Sequence, residues 1–129
     1  MTTNRIINGQ LASLLARFRH VNTIAIVDGP FPTYSNLETV DLAVVLGIPS
    51  IPDVLKAILP HIEVSSVTMA AEFEVKVDKV VVSEYRKVVS HLPLNIITHE
   101  DFKVKVGQTL GIIHTGDNVP YSSVILNCG

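Results

Sequence analysis

The sequence predicts a single α/β domain in which helices are layered around a mainly parallel central sheet. Short uncharged runs rich in Val, Ile and Ala alternate with segments whose apolar residues repeat at helical spacing, and this alternation is typical of parallel strands joined by helices. At 129 residues the chain can bury one hydrophobic core without disulfides or a metal. No linker, repeat or low-complexity tract interrupts it, so residues 1–129 are predicted to form one domain.

The first 70 residues predict two helices and three strands. A leucine stripe that follows Asn8, a strong N-cap residue, predicts the first helix. The uncharged run after it predicts a strand buried on both faces, which ends at two prolines because proline has no N–H for a sheet ladder. Ser50 then caps a second helix, which carries Pro52 in its first turn and stops at Pro60. In order, these elements are a helix over 9–19, strands over 23–27 and 41–45, a helix over 51–59 and a strand over 64–70.

The second half of the chain contains one ambiguous segment, residues 77–90. Three successive valines in it favour a strand, whereas Val81, Tyr85 and Val88 repeat at helical spacing, and we predict a helix. The other predicted elements are a strand over 94–98, a helix over 100–106 and strands over 110–113 and 123–126.

Composition narrows the classes of function. Hydrophobic residues make up 47% of the chain and charged residues 17%, so we expect apolar surface that meets other subunits. No apolar run approaches the ~18 residues of a membrane span, and the first residues lack the features of a signal peptide. A net charge of −2 gives no electrostatic reason to expect nucleic acid. The single cysteine, Cys128, excludes an internal disulfide and fits a cytoplasmic location.

Polar residues at strand ends are the candidates for chemistry. His20 and Asp28 lie at opposite ends of the first predicted strand, and His99 lies at another junction between a strand and a helix. Each also has a purely structural interpretation: a cation at a helix C-terminus, the first residue of a turn, and a helix N-cap, respectively. Because α/β sheets bind small ligands at strand ends, we expect the imidazole of His20 and the carboxylate of Asp28 to converge on one cavity.

The C-terminal third adds a strand that opens into a polar loop ending in an aromatic residue. Thr115-Gly116-Asp117 in this loop is consistent with a simple turn, and Tyr121 with a residue at the edge of the core. A sugar site, however, needs several hydrogen bonds to hydroxyls and an amphipathic ring in its wall. Tyr121 and Ser123 are suited to supply these.

Taken together and in order, these motifs resemble the ribose pyranase and fucose mutarotase family over nearly the whole chain. The segment His99-Glu100-Asp101-Phe102-Lys103 is more similar to the ribose pyranase branch. The other similar motifs are Asn8 with its leucine helix, His20, Asp28 before the prolines, Asp41-Leu42-Ala43 with Gly47-Ile48-Pro49, Ala71-Glu72, Thr115-Gly116-Asp117, Pro120-Tyr121 and Ile125-Leu126.

The resemblance implies a cytoplasmic isomerase, without cofactor or metal, that interconverts cyclic forms of a free monosaccharide. In the family, the residue matching His20 is the catalytic acid, and those matching Asp28, His99 and Tyr121 bind the sugar. Ser123 stands where the family has a sugar-binding asparagine. The resemblance also implies a homodecamer of two pentameric rings in which a neighbouring chain completes each site. Histidine suits the chemistry because it exchanges protons near neutral pH.

Three alternatives remain open. The first is a non-catalytic sugar-binding protein that is an accessory to a sugar uptake system. The second is a metal-dependent hydrolase that uses His20, His99, His114 and Asp28, although these residues lack the spacing of a metal motif. The third is a purely structural ring protein, in which the polar residues at strand ends have no chemical role.

Overall fold

Six strands form one mixed sheet in the computed structural model, which describes residues 5–129. The sheet order is β2-β5-β1-β6-β3-β4. The pairs β2–β5, β5–β1 and β3–β4 are parallel, whereas β6 is antiparallel to both of its neighbours. The prediction of an α/β fold with a mainly parallel sheet is therefore confirmed. The strands are β1 (Thr23–Val27), β2 (Thr39–Asp41), β3 (Ser66–Ala70), β4 (Leu94–Ile97), β5 (Gly111–His114) and β6 (Val124–Asn127).

The direction of the strands defines two edges of the sheet. The carboxyl ends of the five parallel strands lie at one edge, together with the first residue of β6; we call this the C-terminal edge. The opposite edge contains the amino ends of those strands together with the last residues of the chain, Cys128 and Gly129.

In the described part of the chain, five helices and a single 3₁₀ turn connect the strands. Two of the helices begin at the predicted N-caps: Asn8 Oδ1 accepts from Leu11 N at 2.9 Å, and Ser50 Oγ accepts from Asp53 N at 3.2 Å. None of the helices in residues 5–129 is long and apolar enough to cross a membrane. The helices are α1 (Gly9–Ala16), α2 (Ile51–Ile58), α3 (Ala71–Lys76), α4 (Lys79–Lys87) and α5 (His99–Val106), with the 3₁₀ turn at Leu59–His61.

The core lies on both faces of the sheet, which explains why β1 contains no charge. Ile24 and Ile26 belong to one buried cluster, whereas Ala25 and Val27 belong to the other. The first cluster is closed by apolar residues of α1, α2 and α4, and the second by Phe31, Phe102 and Val106. A strand buried on both faces holds the residues at its ends rigidly, and Asp28 is one of them.

The strand predicted over 41–45 is wrong. The observed strand, β2, ends at Asp41, whose Oδ1 accepts a hydrogen bond from Ala43 N at 3.0 Å. This local hydrogen bond turns the chain away from the sheet. Val44 is 74% exposed in the loop that follows, so its apolar character is not that of a buried strand.

The helical predictions differ from the structure in three places. The first helix ends at Ala16 rather than at residue 19, with Arg17 as its C-cap. The helix predicted over 77–90 is confirmed, but it covers only Lys79–Lys87. The short helix α3 was not predicted, because its N-cap, Ala70, has no side chain that forms a capping bond. The remaining elements are confirmed, with ends that shift by at most two residues.

Candidate functional site

Asp28 and Ser123 contact each other at the C-terminal edge. Asp28 directly follows β1 and Ser123 directly precedes β6, so the antiparallel pairing of the two strands places them side by side. Ser123 Oγ donates to Asp28 Oδ1 at 3.2 Å and accepts from Asp28 N at 3.0 Å. Both residues are buried, and the carboxylate is therefore fixed in position by its neighbour.

Three aromatic rings surround His99 beside this pair. The ring of Tyr121 meets the imidazole edge-on, with 5.0 Å between ring centroids and an angle of 90°. Phe102 stacks on His99 at 6.4 Å, and Phe31 approaches it edge-on at 6.1 Å. The imidazole is thereby held by packing, while its Nδ1 is buried without a hydrogen-bond partner among residues 5–129.

A small cavity opens between these groups. Its volume is about 190 Å³, and it is lined by Asp28, Pro30, Phe31, Pro32, His99, Pro120 and Tyr121. Such a wall combines apolar rings with a carboxylate, an imidazole and a phenol. It is suited to a small polar molecule that has both hydroxyl groups and C–H faces.

The carboxyl group of Asp28 is electrostatically perturbed. Burial raises the pKa of Asp28 above its ordinary value, and the hydrogen bond from Ser123 partly offsets this rise. The carboxylate is thus desolvated but supplied with donors, a state in which a further hydroxyl donor from a ligand stabilises it.

The loop that carries Tyr121 and Ser123, residues 115–123, is anchored by Asp117. This fully buried carboxylate accepts from Ile51 N at 2.8 Å, from Tyr85 Oη at 2.7 Å and from Val119 N at 2.8 Å. Burial, and next the hydrogen bond to Asp117, raise the pKa of Tyr85 far above its ordinary value. Asp117 was predicted only as part of a turn, whereas it ties the loop to α2 and α4.

Neighbouring residues connect the same loop to the segment after β1. Thr115 Oγ1 donates to Val27 O at 2.8 Å, and His114 Nε2 lies 2.8 Å from Gly29 O. Gly116 packs so closely on the carbonyl oxygens of Val45 and Ile48 that a Cβ has no room. These contacts fix the position of Asp28 relative to Tyr121.

The unpredicted helix α3 supplies two further groups to the site. Both carboxylate oxygens of Glu72 accept from His99 N, at 3.0 and 3.1 Å, which fixes the start of α5. Lys76 Nζ lies 5.7 Å from the centroid of the Tyr121 ring, within the range of a cation–π interaction. Glu72 and Lys76 are spaced i, i+4 and therefore lie on one face of α3, but without a capping residue this spacing alone does not predict the helix.

His20 lies at the opposite edge of the sheet. It is exposed, in a groove of about 460 Å³ that also includes His61, Cys128 and Gly129. The five residues of β1 separate it from Asp28 by at least about 13 Å at about 3.3 Å per residue. The expected convergence of the imidazole and the carboxylate on one cavity therefore does not occur within one chain.

Comparison with known proteins decides the family. The model of the RbsD / FucU transport protein family matches residues 1–129. This chain belongs to that family.

Relatives in the RbsD / FucU family match this chain over its whole length. The D-ribose pyranase of Bacillus cytotoxicus is 33% identical over 129 residues, which are 100% of this chain and 98% of that protein. The D-ribose pyranase of Clostridium perfringens is 30% identical with the same coverage. The prediction that the chain belongs to a family of sugar ring-form isomerases is confirmed.

Solved structures from the RbsD / FucU family share the fold. RbsD of Bacillus subtilis, solved in complex with D-ribose, has a TM-score of 0.90 and 27% identity, covering 100% of this chain and 98% of that one. The fucose mutarotase of Streptococcus pneumoniae, solved in complex with L-fucose, has a TM-score of 0.78 and 22% identity, covering 98% and 94%. The second likeness concerns the fold alone.

The residues considered for a metal site are not assembled in this RbsD / FucU chain. Among residues 5–129, no group of three or more His, Cys, Asp or Glu side chains is placed to hold a metal ion. His114 instead contacts the carbonyl of Gly29, and His20 lies at the other edge of the sheet.

Proposed function

We propose that this protein interconverts cyclic forms of a free, ribose-like monosaccharide without a cofactor, at a site built from two chains. Asp28, His99, Tyr121 and Ser123 of one chain hold the sugar, and His20 of a neighbouring chain exchanges protons with it. The observation that carries the proposal is the cavity at the C-terminal edge, where a desolvated carboxylate, an imidazole and a phenol face one another. Membership of a family whose relatives include D-ribose pyranases supports the choice of substrate.

Sugar binding follows from the chemistry of the cavity wall. The carboxylate of Asp28 accepts a hydrogen bond from a sugar hydroxyl, while Ser123 holds the carboxylate from behind. The ring of Tyr121 packs against the C–H face of the sugar, and its hydroxyl pairs with a second oxygen. His99, clamped among aromatic rings, supplies a further polar contact from a fixed position.

Proton exchange is the second part of the proposal. When a pyranose opens, the anomeric hydroxyl loses a proton, the bond between the anomeric carbon and the ring oxygen breaks, and that oxygen gains a proton. Closure through another hydroxyl, or onto the other face of the carbonyl, reverses these transfers. An imidazole gives and takes protons at neutral pH. Since the reaction already proceeds in water, one positioned acid–base group is a sufficient catalyst.

A neighbouring chain is required because His20 and the cavity lie at opposite edges of the sheet. A head-to-tail contact between two copies brings the His20 edge of one to the C-terminal edge of the next, and repetition of that contact closes a ring. Exposed apolar residues occur near both edges: Val21 is 73% exposed beside His20, and Val44 and Leu46 are 74% and 70% exposed after β2. A cytoplasmic homodecamer of two pentameric rings, as the family resemblance implies, fits this geometry.

Replacement of His20 tests the proposal. His20→Ala should lower the enzyme-dependent rate of ribose ring exchange, measured by NMR saturation transfer, by about 10²–10⁴-fold. The matched control is His61→Ala, because His61 lines the same groove but has no proposed role in proton exchange. Size-exclusion chromatography with light scattering should show the same assembly for both variants. Unchanged exchange in the correctly assembled His20→Ala variant would contradict the proposed role of His20.

A non-catalytic sugar-binding protein is the second candidate. It is favoured by the observation that one chain already contains Asp28, His99 and Tyr121 around the cavity without His20. This candidate predicts that ribose raises the melting temperature of the wild-type protein while the rate of ring exchange stays at its value in water. A wild-type acceleration of exchange excludes it.

A further inference from the structure

Arg86 in the last turn of α4 has an unusual set of partners. Its Nη1 donates to Glu74 Oε1 at 2.6 Å, and its guanidinium lies 6.0 Å from the centroid of the Phe73 ring. Its other two nitrogens, Nε and Nη2, are buried and have no hydrogen-bond partner among residues 5–129. The side chain as a whole is 20% exposed.

The two unpartnered nitrogens are chemically significant because of their geometry. Buried polar groups are almost always hydrogen-bonded. A charged donor without a partner loses its hydration, and no hydrogen bond compensates for that free-energy cost. On a planar guanidinium, the Nε–H and one Nη2–H bond lie on the same side and point in nearly the same direction. This fork matches two oxygens of one carboxylate or phosphate group.

A groove lies next to this arginine, between α4 and the edge strand β4. Its volume is about 460 Å³, which is within the range of small-molecule sites. Besides Arg86, its lining combines a cation, two hydroxyls and three apolar side chains: Lys87, Ser83, Ser90, Val89, Leu92 and Leu94. It shares no lining residue with the sugar cavity.

We infer that this groove binds a small organic oxyanion, a phosphate monoester or a carboxylate, whose oxygens pair with Nε and Nη2 of Arg86. Lys87 adds a second positive charge, and the two cations exceed both the charge of Glu74 and the partial negative charge of the helix C-terminus. The two serine hydroxyls suit the remaining oxygens, and the apolar residues suit a compact carbon body. Because Nε and Nη2 are covered, the anion enters as the guanidinium swings toward the groove while Glu74 retains Nη1.

Ligand-observed NMR on the intact assembly tests this inference. Methyl phosphate is followed by ³¹P line broadening and acetate by ¹H saturation transfer, with total ionic strength held constant by sodium chloride. We expect saturable binding of at least one anion to the wild-type protein. Saturation by methyl phosphate alone identifies a phosphate monoester site, and saturation by acetate alone a carboxylate site.

Two variants show whether anion binding depends on the forked geometry of the Arg86 guanidinium or only on its positive charge. Arg86→Lys keeps the charge and removes the fork, so it should weaken binding at least about tenfold. The matched control is Arg17→Lys, because Arg17 forms a comparable ion pair with Glu38 at 2.7 Å on the surface; it should bind like the wild type. Sugar ring exchange should be unchanged in both variants, which shows that the assembly is intact. Absence of saturable binding to the wild type, or equal binding by Arg86→Lys, overturns the inference.

Discussion

The candidate site residues at the two edges of the sheet differ in how fully they are packed within one chain. At the C-terminal edge, Asp28 is buried against Ser123, and His99 is packed among aromatic rings. At the other edge, His20 is exposed in an open groove. This difference supports our proposal that one chain holds the sugar, because antiparallel β6 joins the two halves of the cavity. It also supports the proposal that a second chain contributes the proton-exchanging group.

Mixed assemblies provide the strongest test of this division. His20→Ala and Asp28→Asn should each be inactive alone, since each removes one edge from every site. When the two variants are co-expressed in equal amounts, about one quarter of the wild-type exchange rate should return, because a random head-to-tail ring pairs intact edges at about one quarter of its contacts. The measurement is ribose exchange by NMR on assemblies shown by native mass spectrometry to contain both variants.

The control for mixed assemblies uses two variants of the same edge. Asp28→Asn mixed with His99→Ala should stay inactive, because every cavity then carries a defect whichever neighbour it meets. If the first mixture also stays inactive although both variants share one assembly, the site is not divided between chains in the proposed way.

The difference between the two edges also explains which features of the candidate site could be predicted from the sequence and which could not. Local patterns placed Asp28 and His99 at strand ends and Tyr121 at the end of a polar loop, and the structure brings the three residues around one cavity. His20 lies in a groove at the other edge of the sheet, and no periodicity in the sequence indicates its position relative to the cavity. Asp117 resembled an ordinary turn residue because its three donors lie in other elements or in its own loop and become neighbours only in the fold.

Errors in the predicted elements have equally local causes. The apolar residues after Asp41 led to the predicted strand over 41–45, yet the side chain of Asp41 accepts a hydrogen bond from Ala43 N and diverts the chain. Because β2 has only three residues, the predicted and observed strands share Asp41 alone. Helix α3 has six residues and no side-chain cap, so sequence alone had little to detect.

Removal of the Asp117 carboxylate should have the next largest effect, because this group anchors the loop at the C-terminal edge to α2 and α4. Asp117→Ala leaves three donors without an acceptor, two of them backbone N–H groups. We expect a loss of about 3 kcal/mol or more of unfolding free energy, because each of the three donors costs about 1–3 kcal/mol when it is left unsatisfied. Sugar binding should also weaken. Chemical denaturation and ribose titration measure the two effects.

A matched substitution shows whether the Asp117 effect is specific. Asp101→Ala removes a carboxylate that is exposed in the first turn of α5, and it should cost less than about 1 kcal/mol. Equal destabilisation by both substitutions would mean that Asp117 does not anchor the 115–123 loop.

The pH dependence of stability tests the electrostatics of the cavity. Burial raises the folded-state pKa of Asp28, so the unfolded chain loses this proton at lower pH than the folded chain does. Stability is therefore lost as pH rises from the ordinary value of 3.8 through the folded-state pKa. Asp28→Asn cannot ionise, and it should melt at a higher temperature than the wild type at neutral pH, with the difference shrinking toward about pH 4.

The hydrogen bond from Ser123 to Asp28 provides a second test of the pKa shift of Asp28. It lowers the pKa that burial raises, so at neutral pH the Asp28→Asn substitution should raise the melting temperature more in a Ser123→Ala background than in the wild-type background. The opposite result would be a wild-type protein that melts at a higher temperature than Asp28→Asn at neutral pH, with a difference that narrows on acidification. It would mean that the folded-state pKa of Asp28 is lowered and not raised.

Substitution of Lys76 should have the smallest effect. It should change KM, which reports on sugar binding at the C-terminal edge, and not kcat, which reports on proton exchange. The Tyr121 backbone is left-handed, with φ of 61°, so contacts with its ring help to hold it in place. Lys76→Met removes a cation–π contact of about 0.5–1 kcal/mol, which should raise KM for ribose about two- to fivefold and leave kcat nearly unchanged. Lys76→Arg should restore KM, and Lys79→Met on α4 should not alter it. A fall in kcat with constant KM would instead place Lys76 in the proton-exchange step, which we assign to His20 at the opposite edge.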